Sequence, residues 1–153
     1  GPIFVQGRNQ GSAVLTISSP GFQTKTVPVS VLSAGFIFKA ISGGFSISRT
    51  APNRAITIGP AILDPEGNYA GDGAMRGGLA PLSVTVTNSN PSVGVLLGNP
   101  SIFNAGDSAS TDLFFDPNNS TPGGQTQLTI VAPGGFQTPN QPTLFSISAN
   151  VGL

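Results

Sequence analysis

The chain has 153 residues, of which 38% are hydrophobic and only 8% charged, with six Lys/Arg balancing six Asp/Glu. An average soluble protein carries about 25% charged residues. No basic cluster offers a footprint for nucleic acid or an anionic membrane, and the absence of cysteine and histidine excludes disulfides, thiolate chemistry and an imidazole base.

No stretch repeats apolar residues at helical spacing for more than one turn, and the 21 glycines and 14 prolines interrupt the chain throughout. Alternation at period two is frequent instead, the mark of half-buried strands. The first predicted strands are 3–6, 12–18 and 25–32. Ala13, Leu15 and Ile17 share one face, as do Val27, Val29 and Val31. Two or three strands cannot bury such a face alone. From residue 35 onward the predicted strands are 36–41, 44–49, 55–63, 82–88, 92–97, 101–104, 110–115, 125–132 and 143–151. Their separators, such as Ser42-Gly43-Gly44, Asn88-Ser89-Asn90-Pro91 and Asp116-Pro117-Asn118-Asn119, carry turn chemistry. Short strands at this spacing without helices imply an all-β, antiparallel sandwich. Phe36, Phe38, Phe45, Phe115 and Phe145 fall on inward parity and are assigned to its core.

The chain also repeats itself. Gly11-Ser-Ala-Val-Leu-Thr-Ile-Ser-Ser-Pro-Gly-Phe-Gln-Thr24 returns as Gly124-Gln-Thr-Gln-Leu-Thr-Ile-Val-Ala-Pro-Gly-Gly-Phe-Gln-Thr138, with Leu15 and Leu128 spaced 113 residues apart. A period of that length is one sandwich domain. We therefore divide the chain into residues 1–34, the terminal strands of one repeat, and residues 35–153, a complete second repeat.

Further motifs carry a family resemblance. Leu82-Ser-Val-Thr-Val-Thr-Asn-Ser-Asn-Pro-Ser-Val93 and Phe103-Asn-Ala-Gly-Asp-Ser-Ala-Ser110 resemble the strand-turn signatures of bacterial immunoglobulin-like repeats. The resemblance implies an immunoglobulin-like sandwich in a large, secreted or cell-surface protein, where such repeats act as stalks, spacers or adhesins. Its partners would be neighbouring repeats, identical subunits or a cell-surface glycan. Any export signal would lie outside this stretch, which holds neither a signal peptide nor a run of 18 apolar residues.

Residues 64–78 match nothing in that pattern and read as an insertion. Asp64, Glu66, Asn68 and Asp72 supply oxygen ligands on a glycine-rich loop, a donor set suited to Ca²⁺. An EF-hand would need Glu where Met75 stands. The competing reading is a solvated hairpin whose acids cap turns or pair with Arg76. Asp107, Asp112 and Asp116 are read as turn and outward residues. Asn118-Asn119-Ser120-Thr121 holds two overlapping glycosylation sequons. Lys39 and Asn150 have the residue types of an intramolecular isopeptide pair, but parity turns both outward. An enzyme is not expected: besides lacking histidine, the chain has no Trp and one Tyr to form a sugar platform. Phe22 and Phe136 each follow a Pro-Gly turn of the repeat and are assigned, with Leu15, Ile17, Val27 and Val29, to an interface: an end of the sandwich or a joint between modules. If residues 1–34 add strands to a neighbour's sheet, the chain is instead a filament subunit.

Overall fold

A computed structural model describes residues 2–119 and 122–152. It is nearly all β, with its strands arranged in four sheets.

β1 (Gly11–Ile17) and β2 (Lys25–Val31) form a two-stranded antiparallel hairpin. One residue, Leu32, separates it from β3 (Ser33–Lys39). β3 pairs with β6 (Thr57–Leu63), which pairs in turn with β7 (Tyr69–Asp72). β5 (Arg54–Ala55), β11 (Phe114–Pro117) and β9 (Gly94–Leu97) make a second three-stranded sheet. The largest sheet has the order β10 (Ser101–Phe103), β8 (Leu82–Asn88), β12 (Gly124–Val131), β13 (Ser146–Gly152) and β4 (Gly44–Ser48).

The five-stranded sheet packs against the two smaller ones across a single core, giving a sandwich-like body. Aromatic contacts mark the two seams. Phe45 of β4 meets Phe115 of β11 edge-on at 5.7 Å, and Phe36 of β3 meets Phe103 of β10 at 5.0 Å. Between them lie Ile58, Val84, Val86, Leu128, Ile147 and Ala149, all at most 1% exposed. Burying such side chains contributes roughly 25 cal/mol per Å² of apolar surface, which supports a fold without disulfides.

Several expectations need correction. β4 and β13 run parallel, so the large sheet is not purely antiparallel. Gly44 permits the approach: its φ is 149°, and a Cβ there would strike the Ser148 carbonyl. Residues 3–6 are not a strand. Ile3, Phe4 and Val5 are 69%, 89% and 56% exposed, and without a partner strand their backbone has no ladder to join. Residues 110–115 form a strand only from Phe114 onward. Ahead of it, Ser110 bonds Ile58 twice: its N–H donates to the Ile58 carbonyl and its Oγ accepts from the Ile58 N–H. The 64–78 segment is not all loop, because it contains β7. The 143–145 stretch is helical, as α1 (Pro142–Phe145), a single turn too short to show in sequence periodicity. Phe145 is half-buried against the core rather than within a strand.

Candidate functional site

The acidic loop folds upon itself. Asp64 accepts from the Asn68 backbone N–H through Oδ1 (2.7 Å) and from the Asn68 amide through Oδ2 (3.0 Å). These bonds, led by that from the Asn68 side chain, hold its pKa below the ordinary 3.8. The turn 64–68 is closed further by backbone bonds between Asp64 and Asn68 and from Gly67 to Asp64. Asn140 donates its side-chain N–H to the Glu66 carbonyl, tying the turn to the chain that precedes α1. Asp72 points elsewhere, to Lys39 Nζ at 2.7 Å. Of the four residues assigned to calcium, Asp64 and Asn68 thus satisfy each other, and Asp72 is held by a lysine. No group of three or more acidic side chains that could hold a metal is found among the described residues. Arg76 pairs with no acid among the described residues: it donates to the Gly7 carbonyl at 2.9 Å. We expect excess EDTA to leave the thermal midpoint unchanged; a clear fall would assign a structural cation to this loop.

The Lys39–Asp72 contact predicts a pH dependence. The hydrogen bond from Lys39, followed by its positive charge, lowers the Asp72 pKa from 3.8. A lowered folded-state pKa stabilises the fold above the unfolded value, and the gain is lost as pH falls through the folded one. Asp72→Asn should therefore lower the melting temperature slightly at pH 7, where the gain is fully present, and flatten the acid limb below about pH 4 so that the two proteins converge there. An unchanged acid limb would show that the pair does not couple to folding. Asn150 is exposed on β13, so Lys39 faces Asp72 rather than an isopeptide partner. Asp107 closes its turn by accepting from the Asn104 N–H at 2.7 Å; the bond runs back three residues rather than forward two, so it is not the Asx turn expected from the sequence. The sequons at 118–121 extend beyond the described residues.

The two copies of the repeated motif occupy very different environments. In β12–β13 the register pairs Gly124 with Val151, Thr126 with Ala149 and Leu128 with Ile147. In β1–β2 it pairs Gly11 with Val31, Ala13 with Val29 and Leu15 with Val27. The hairpins are therefore the same structure in the same register, although a longer connection joins β12 to β13. The inward residues of β12–β13 are buried. Their counterparts are not: Ile17 is 43% and Val27 39% exposed, while Leu15 and Val29 are half-buried. Phe136 packs on Phe36 with ring centroids 5.0 Å apart, and the next residue, Gln137, donates its N–H to the Ala34 carbonyl. Phe22, its counterpart, is 79% exposed at the hairpin tip. The structure thus places Phe136 at the end of the core and leaves Phe22 without that role. Phe22→Ala should change the stability of this chain by no more than about 0.5 kcal/mol, as for other surface positions. A larger loss would mean that the hairpin tip folds back.

At the hairpin base lies a cleft of about 550 Å³, which the sequence did not reveal. Arg8 and Arg76 border it, with Met75 and Phe136 contributing apolar wall. Ser33 also lines it, and its Oγ is the buried side-chain oxygen without a hydrogen-bond partner among the described residues. The cleft exists because the chain passes from β2 to β3 through one residue, bringing the 7–10, 73–79 and 134–137 segments together around the joint.

No protein-family model, curated protein or solved structure matches the chain. No helix among the described residues is long and apolar enough to cross a membrane.

Proposed function

We propose that this chain is a non-enzymatic, immunoglobulin-like repeat module of a large secreted or cell-surface bacterial protein, serving as a stalk or spacer. One observation carries the reading: a hairpin identical in register to the terminal hairpin of the sandwich stands before it, joined through Leu32 alone. On this reading residues 1–34 end one module and residues 35–153 form the next. A one-residue joint has little freedom to flex, which suits a protein that must hold distance. Mechanical strength would come from ladder hydrogen bonding and the Val/Leu/Ile/Phe core, with no demand on charge or redox state.

The open outer edge of β1 supports a second reading, a self-assembling filament subunit, because unpaired strand edges template further pairing. Light scattering across a concentration range separates the two. A monomer at every concentration is the expected result for a spacer. Polymers that grow with concentration would replace that reading with assembly.

A further inference from the structure

We infer that the 11–31 hairpin is a preformed plug for the terminal-hairpin slot of a second module of this same fold; this rests on the repeat reading above. β12–β13 shows what covers such a hairpin when its module is complete. One face lies on the core, the β12 edge pairs with β8, and the β13 edge pairs with β4. The 11–31 hairpin carries the same inward set in the same register. Leu15, Ile17 and Val31 repeat Leu128, Ile130 and Val151, and Val27 replaces Ile147. The remaining pair trades volume across the ladder: Thr126 opposite Ala149 becomes Ala13 opposite Val29. The exchange roughly keeps the volume across the ladder, which a packed core tolerates, and gives up the hydroxyl by which Thr126 bonds Asn88 and Asn90.

The two edges of the hairpin are not equivalent. Gln127 turns its backbone toward the β8 end, where its carbonyl accepts from Ser89 N–H (3.0 Å) and its N–H donates to Ser89 Oγ (2.9 Å). Val14 holds that register position in β1 and keeps both groups. On the opposite edge, Ser148 N–H donates to the Gly43 carbonyl at 3.0 Å. Its register counterpart in β2 is Pro28, which has no N–H to give. The hairpin therefore anchors through β1 against a β8-type strand, and the β4-type contact is one bond poorer. Phe22 would then lie on a β3-type phenylalanine, as Phe136 lies on Phe36. Proline at this position also discourages the β2 edge from pairing with unrelated strands.

A crossover protein tests this directly: residues 33–123 joined to residue 11 and continuing to residue 153, so that 11–31 occupies the sequence place of 124–151. Hydrogen exchange of the Ser12, Val14 and Thr16 amides is compared with that in the chain itself. The inference requires at least about a hundredfold slowing in the crossover protein, as open-edge amides join a cooperative sheet. Leu15→Asp should abolish that slowing and yet leave the melting temperature of the natural chain unchanged. Equal exchange rates in both proteins, or an unfolded leading segment in the crossover protein, would overturn the inference. So would a Leu15→Asp substitution that is silent in both. Self-association of the natural chain, read by light scattering, would instead overturn the spacer reading; exchange is compared at concentrations where that chain is monomeric, so the two failures are distinct.

Discussion

Phe115→Ala is expected to cost about 3–5 kcal/mol, the range for deleting a fully buried aromatic ring. At this chain length that corresponds to a melting temperature lowered by roughly 10 °C. Phe115 is 0% exposed and joins the layers through its edge-on contact with Phe45, whose ring also carries the Arg54 guanidinium 4.6 Å from its centroid. Gly94 accommodates the Phe115 ring, because a Cβ there would collide with its tip. The cavity left by alanine therefore has little nearby side chain with which to fill itself, which favours the upper part of the range. Thermal and denaturant unfolding followed by circular dichroism would measure the loss. A cost below about 1 kcal/mol would show that the two layers do not depend on this contact.

Thr126→Val should be the most damaging near-isosteric change, at about 1–3 kcal/mol. Thr126 is 1% exposed. Its hydroxyl donates to Asn88 Oδ1 and accepts the Asn90 backbone N–H at 2.9 Å. It thereby holds the Asn88–Asn90 turn against β12. Valine keeps the shape and removes both bonds, leaving the Asn90 N–H and Asn88 Oδ1 only their longer bond to each other at 3.2 Å. Hydrogen exchange at Asn90 should accelerate together with the drop in denaturation midpoint. A stable variant with unchanged exchange at Asn90 would show that water replaces the hydroxyl at no cost. The equivalent residue in the first hairpin is Ala13, which is exposed, so no bond of this kind exists there to lose.

The fold class was legible because alternation is a local signal. Leu82, Val84 and Val86 announce β8, and Leu128 and Ile130 announce β12, without reference to any other part of the chain. The four strand residues missed in the 64–78 segment, Tyr69–Asp72, have a common cause. β7 has no alternation and little burial; it is a strand only because β6 offers an edge and Lys39 reaches Asp72. Residues 3–6 show the reverse. They have strand composition but no neighbour, and strand propensity largely measures packing against neighbours. The parallel β4–β13 pair was invisible for a similar reason, since alternation reports which face is buried and not which strand lies alongside.

The acidic loop follows the same division. Sequence showed Asp64, Glu66, Asn68 and Asp72 as a run of oxygen donors. Only the fold showed Asp64 spent on Asn68 and Asp72 drawn across to Lys39, 33 residues away. The repeat divides in the same way. The amino acids by themselves determined that Gly11–Thr24 and Gly124–Thr138 are two versions of one element, because duplicated residues in duplicated order need no contacts to be recognised. The tertiary structure decided that one copy is built into a core between β8 and β4 while the other stands with its apolar face and β1 edge open. Burial depends on what lies across the sheet, and that is a property of the assembled chain rather than of either hairpin.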